Sequence, residues 1–165
     1  MNLKSISKEA IPAALERAQR YRMLDEPPEA ESICLDVLAI DPQNHEALVI
    51  LLLALTDQFE HRQGAAVKEA REVLRKMKDE YSRQYYEGVI CERWAKANLL
   101  QDSPRAPSLA RGWLSDALAC YERAEKLRPA GNDESILRWN TCQRLLSRLA
   151  EPAVTAAPPM SDQLE

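Results

Sequence analysis

The sequence predicts an all-α protein, and three features carry this prediction. Helix-forming alanine, leucine, glutamate and arginine are in excess in a 165-residue chain with only four glycines. Apolar side chains recur at spacings of three and four, as on one face of an amphipathic helix. Short turns with proline, asparagine or aspartate interrupt this pattern. We therefore expect about seven antiparallel helices and almost no strand.

The first predicted helix runs to about Leu24. Ser5 or Ser7 can cap it, and Pro12 lies near its first turn or kinks its early part. The run Asp-Glu-Pro-Pro at 25–28 ends it, because proline removes a backbone donor and pushes the preceding residue out of the helical region.

The second and third helices are joined by the tight turn 41–44. The second runs from about Pro28 to Ile40; Asn44 caps the third, which ends near Phe59. Helices joined by so short a turn lie antiparallel. The apolar stripes are Ala30, Cys34, Val37 and Ile40 in the second helix, and Leu48, Leu51, Leu52 and Leu55 in the third. The third helix is apolar on nearly every side, so we expect it at the centre of the fold.

The fourth and fifth helices follow a turn at 60–64. The fourth carries Ala66, Ala70, Val73 and Met77, and the fifth covers roughly 82–100. Because Lys78 is not a strong helix breaker, the fourth helix is expected to run on or to join the fifth through a soft bend.

The sixth helix begins at Ser108 after the break at 102–107, and the seventh extends to about Leu149. The ends of the fifth and sixth helices are predicted to form a projecting hairpin in which Trp94 faces Trp113. Residues 150–165 have three prolines and no amphipathic period, so we expect a disordered tail.

Two segments share one spacing of small, apolar and proline residues. They are Ala30, Cys34, Val37 and Pro42, and Ala117, Tyr121, Ala124 and Pro129. This pattern resembles the tetratricopeptide repeat, a 34-residue helix-turn-helix unit. The resemblance implies a right-handed helical solenoid, in which Gly88 fits the close-packing glycine. The alternative is a plain helical bundle with similar cap and turn signals.

The resemblance divides the chain into one domain at 1–149 and the tail at 150–165. The units are about 11–44, 45–80 with two extra residues and 81–131 with seventeen, and a capping helix at 132–149 covers the last open face.

Composition excludes several classes of function. The net charge of -4 and the pI near 5.4 offer no basic field for nucleic acid. The N-terminus is too polar for a signal peptide, and the longest apolar run, 47–55, is shorter than a membrane span. We expect a cytoplasmic protein without a membrane or nucleic-acid partner.

No catalytic, cofactor or metal site is predicted. The four glycines are too scattered for a phosphate-binding loop, and neither His45 nor His61 has a nucleophile nearby in a recognisable setting. The separated cysteines 34, 91, 120 and 142 are expected to be reduced core thiols rather than redox or zinc ligands. We therefore expect a protein that is not an enzyme.

The resemblance implies a scaffold or adaptor that binds a client peptide or helix in a concave groove. The groove residues would be Leu15, Gln19, Arg22, Met23, Val49, Leu53, Thr56, Asp57, Tyr85, Val89, Glu92, Arg93, Ile136, Asn140 and Gln143. They form a strip that is apolar along its middle and charged along one edge. The capping helix or a second copy could instead cover this strip.

Two alternatives for the function stay open. Small cytosolic chaperones of bacterial type III secretion are similar in size, acidity and repeat number. A structural subunit that self-associates, or completes a larger assembly, is the other. The receptors of this fold that hold a peptide carboxylate with lysines, arginine and asparagines are a poor match. The equivalent positions here are Leu15, Gln19, Glu46, Val49 and Leu53, with only Arg93 basic.

Overall fold

The computed structural model describes residues 2–150, and every regular element in that range is helical. The helices are α1 (Ile11–Met23), α2 (Pro27–Ile40), α3 (His45–Thr56), α4 (Phe59–Arg62), α5 (Gly64–Leu74), α6 (Glu80–Leu99), α7 (Ala106–Leu127) and α8 (Glu134–Ala150), with a 3-10 turn at Lys8–Ala10. The all-α prediction is confirmed. The predicted tail, apart from Ala150, lies outside the described residues.

The helices pack mainly on their neighbours in sequence. Apart from the single turn α4, each helix contacts the next one, and the α6–α7 interface is the most extensive. In addition, α1 packs on α3, α3 contacts α6, and α4 packs on α5 and α6. Each helix within residues 2–150 is either too short or too polar to span a lipid bilayer.

Two hydrophobic clusters form the core. The first belongs mainly to α1–α5 and includes Leu48, Leu52 and Phe59, all almost fully buried. The second joins α6, α7 and α8. Leu53 packs against both clusters. Eight residues of α3 are buried, so the predicted central position of the third helix is confirmed.

Helix ends follow local capping chemistry. The Asn44 side chain accepts a hydrogen bond from the Ala47 amide at 2.9 Å, as predicted for the start of the third helix. The first α-helix begins at Ile11 rather than directly after a serine. The 3-10 turn Lys8–Ala10 lies between Ser7 and this helix, and the Ser7 side chain makes no capping hydrogen bond to that turn.

The predicted continuation through Lys78 is wrong. Helix α5 ends at Leu74, and Asp79 caps α6 by accepting from the Ser82 amide at 2.8 Å. Arg83 Nη1 donates to the carbonyls of Met77 at 3.0 Å and Lys78 at 2.9 Å. These bonds satisfy carbonyls that a continuous helix would otherwise use, so the break needs no proline.

The end of the third predicted helix also differs. Helix α3 stops at Thr56, and the single turn α4 adds an eighth helix because Phe59, 1% exposed, is drawn into the core. The ring of Phe59 meets that of Trp94 edge-on, with centroids 5.8 Å apart. Trp113 lies instead beneath the Arg71 guanidinium, 5.6 Å from its ring centroid. The predicted Trp94–Trp113 pairing is therefore wrong.

Close packing of α6 on α7 depends on Gly88. A Cβ atom at Gly88 would lie 2.6 Å from Cε1 of Tyr121, whose side chain is fully buried. The sequence prediction of a close-packing glycine at this position is confirmed.

We expect Gly88→Ala to lower the free energy of unfolding by about 1–3 kcal/mol, because the added methyl group must displace a buried ring. Gly112→Ala is the matched control, since Gly112 lies within α7 with nothing within 4 Å of its Cβ position. That change should raise stability by about 0.5–1 kcal/mol through helix propensity. Urea denaturation measures both, and equal effects of the two substitutions would contradict this account.

Candidate functional site

A charged cleft lies where α1, α3, α4, α6 and α8 meet. Its volume is about 440 Å³, and it is lined by Arg22, Asp25, Thr56, Asp57, Phe59, Glu60, Arg93, Lys96, Ala97 and Arg138. Seven of these ten residues are formally charged. Helices remote in sequence therefore bring their charged side chains to one place.

Asp57, directly after α3, ties two other helices to the cleft. Arg22 at the end of α1 binds Asp57 Oδ2 through Nε at 2.8 Å, and Arg93 of α6 binds Oδ1 through Nη1. The same nitrogen of Arg93 donates to the Thr56 hydroxyl at 2.9 Å, and Thr56 donates to the Leu53 carbonyl at 2.7 Å. One carboxylate thus holds two guanidinium groups in fixed positions.

Glu92 plays the same part for two other basic residues that line the cleft. Its side chain is 0% exposed, yet it binds Lys96 Nζ at 2.5 Å and Arg138 Nη1 at 3.3 Å. The Tyr121 hydroxyl donates to its second oxygen at 2.7 Å. A buried carboxylate needs such partners, because an unpaired charge out of water is very costly.

These partners decide the protonation state of Glu92. Burial by itself raises the pKa of this carboxyl, but the hydrogen bond and charge of Lys96, aided by Tyr121 and Arg138, outweigh burial and lower the pKa below its ordinary value. For Arg138, burial acts to lower the pKa, but the charge of Glu92, together with the hydrogen bond to Tyr85 and the influence of Tyr121, outweighs burial and raises the pKa. At neutral pH the group is therefore an ionised network of one anion and two cations.

The predicted groove residues fall into three groups by exposure. Leu15, Thr56, Tyr85, Val89 and Glu92 are buried; Arg22, Val49, Leu53, Asp57, Arg93, Ile136 and Asn140 are half-buried; Gln19, Met23 and Gln143 are exposed. The expected apolar middle of the strip is therefore mostly core. The cleft brings together four residues of the set, Arg22, Thr56, Asp57 and Arg93.

Sequence reasoning missed four charged residues that line the cleft: Asp25, Glu60, Lys96 and Arg138. Lys96 carried a signal, since it lies four residues after Glu92 on the same helix. The sequence contained no such signal for Arg138, because 46 residues separate it from its partner Glu92.

Asp25 has an unusual backbone conformation. Its φ is 59°, and the Glu26 amide donates to the Tyr21 carbonyl at 2.9 Å, closing the turn that ends α1. Glycine or asparagine normally occupies this left-handed position after a helix. Aspartate is one of the few non-glycine residues that adopt this conformation readily, so the turn closes at Asp25 without glycine.

No protein-family model, curated protein or solved structure matches this chain at a significant level. The resemblance to the tetratricopeptide repeat stays a prediction that rests on the spacing of the sequence.

We expect Glu92→Gln to lower the free energy of unfolding at pH 7 by about 1.5–3 kcal/mol, the worth of hydrogen bonds to a charged group. Because the folded pKa of Glu92 is lowered, its ionisation stabilises the protein above the unfolded pKa of about 4.3. That contribution is lost as the pH falls through the folded pKa. The difference in free energy of unfolding between wild type and variant should therefore become smaller as the pH falls.

Melting temperatures between pH 7 and pH 3 test this linkage. Glu72→Gln is the matched control, because Glu72 is exposed on α5. A gap between wild type and Glu92→Gln that stays constant down to pH 3 would show that Glu92 is not held ionised by the fold.

Proposed function

We propose that this chain is a protein-binding scaffold, built as a short array of tetratricopeptide-like helix pairs, and that it binds a segment of a partner protein in the charged cleft. The packing order supports the array, because each long helix contacts the next and α1, α3 and α6 also contact in series. In repeat solenoids, the first helices of successive units line one face.

The observation that carries the proposal is the composition of the cleft. Its lining comes from α1, the end of α3, α6 and α8, together with α4 and the turn after α1. Backbone groups within helices are already paired, so recognition at such a surface must come from side chains. Four charged residues on different elements, Arg22, Asp57, Arg93 and Arg138, are held there by ion pairs and remain partly exposed. We assign the cleft no catalytic role.

The volume of the cleft suits a segment rather than a whole domain. About 440 Å³ falls within the usual range of roughly 300–1,000 Å³ for ligand pockets. A few side chains of a peptide or helix can enter it while the rest of the segment lies along the surface.

Ala97→Arg tests the site, since Ala97 is 5% exposed and lines the cleft. The probe is a set of peptides selected on the wild-type protein from a random display library. A guanidinium projecting into the cleft should weaken their binding at least about tenfold, or about 1.4 kcal/mol, as isothermal titration calorimetry would show. Amide shifts in NMR spectra should map the peptides to α1, α6 and α8.

Ala65→Arg, at an exposed position of α5, is the control for added charge and should bind as the wild type does. Circular dichroism checks that both variants fold. A library that yields no binder would overturn the proposed function. Binders that shift only the amide signals of α2 or α7 would show that the binding site lies outside the cleft.

Self-association is a second candidate, favoured by one observation. Met23 and Leu24 are 81% and 62% exposed, and both line a second concavity of about 610 Å³ on α1. Exposed apolar groups that lie together commonly mark an interface.

Sedimentation velocity distinguishes the two candidates. If the chain self-associates through this surface, Met23→Glu together with Leu24→Glu should convert an oligomer to a monomer, because each buried carboxylate would lack a partner. A wild-type protein that remains monomeric over the whole concentration range tested would exclude this candidate.

A further inference from the structure

One side of the cleft is basic. Arg93, Lys96 and Arg138 have side chains that are 25%, 43% and 32% exposed, whereas the Glu92 carboxylate that balances two of them is 0% exposed. The anion therefore lies beneath the surface and its cations reach the solvent. We call these three residues the basic side.

The basic side retains donors for a ligand. The Lys96 ammonium has three N–H donors and binds Glu92 at one contact. Arg138 reaches Glu92 through Nη1, and a guanidinium has five N–H donors in all. A carboxylate that entered the cleft could accept hydrogen bonds here without breaking the bonds to Glu92.

Two acidic side chains also line the cleft. Asp25, in the turn after α1, and Glu60, in α4, both line the cleft and both are exposed. Neither forms an ion pair with a residue in the described range, 2–150. We call these two residues the acidic pair, and both carboxylates are open to the solvent.

We propose that the cleft binds a partner segment carrying both charges, with an acidic side chain against the basic side and a basic side chain against the acidic pair, Asp25 and Glu60. This inference rests on the proposed function and narrows the partner to a dipolar peptide. A purely anionic ligand would leave Asp25 and Glu60 uncompensated, and a purely cationic one would meet Arg93, Lys96 and Arg138. Two charges of opposite sign also set the direction of the segment, since charge patterns fix register and specificity more than affinity.

The experiment uses peptides selected on the full chain from a random display library, and each selected peptide is then made with single substitutions. We expect the selected sequences to share one acidic and one basic residue at a constant separation. Lys96→Gln should weaken binding about two- to fivefold, the usual effect of a partly exposed ion pair. Glu60→Gln should weaken it by a similar factor.

Double-mutant cycles assign each contact. When the acidic residue of the peptide is changed to its amide, Lys96→Gln should have no further effect, while Glu60→Gln should keep its effect. When the basic residue is changed to glutamine, the pattern should reverse. Lys96→Gln leaves Arg138 and Tyr121 bonded to Glu92, and circular dichroism verifies that the variant folds.

Lys68→Gln and Glu72→Gln are the matched controls, because both residues are exposed on α5, which contributes nothing to the cleft. They should leave binding unchanged. Peptides that bind equally well to wild type, Lys96→Gln and Glu60→Gln would overturn the dipolar partner and leave the proposed function standing. Binding that is sensitive to only one of the two cleft substitutions would also overturn the dipolar partner, in favour of a partner of single charge. Failure to select any peptide would overturn the proposed function itself.

Discussion

The contact between Tyr121 and α6 is the one on which the C-terminal half of the protein depends. The ring occupies space that Gly88 leaves open, and the hydroxyl donates to the buried Glu92 at 2.7 Å. Packing and charge are joined here, because the hydroxyl reaches the carboxylate only if α7 lies close to α6. Burial and the negative charge of Glu92 both raise the pKa of Tyr121, so the phenol remains a donor at physiological pH.

The position of α8 follows from the same carboxylate. Arg138 binds Glu92 from α8, while apolar residues on one face of that helix pack against the α6–α7 cluster. Trp139 adds a hydrogen bond from its indole Nε1 to Glu122 of α7 at 3.1 Å. Helix α8 is thus held both by buried apolar surface and by the ion pair between Arg138 and Glu92, and Arg138 also lines the cleft.

Asp57 performs the equivalent task for the N-terminal half. It receives Arg22 from α1 and Arg93 from α6, and so joins two helices that are not among the main packing pairs. Since both ion pairs are partly exposed, they hold the geometry of the cleft more than they add to stability. The accessible chemistry of the cleft is mainly electrostatic, because seven of its ten lining residues are charged, while Leu15, Tyr85 and Val89 lie in the core.

The sequence by itself determined features whose causes are local. Its composition and apolar periodicity specify helices, Asn44 caps α3 through a residue three positions away, and Gly88 marks a close approach. The tetratricopeptide spacing predicts the array, although it does not decide which residues of the groove remain accessible.

Only the tertiary structure decided the register between helices and, with it, the cleft. Tyr121 and Arg138 reach Glu92 across 29 and 46 residues, and no spacing rule along one helix connects them. Trp94 turned to Phe59 rather than to Trp113, because α4 folds back to bury the phenylalanine ring. The predicted groove became partly core for the same reason. Neighbouring helices bury several of the apolar side chains of the strip more deeply than most of its charged ones. The depth of burial is set by contacts between segments that are distant in the sequence.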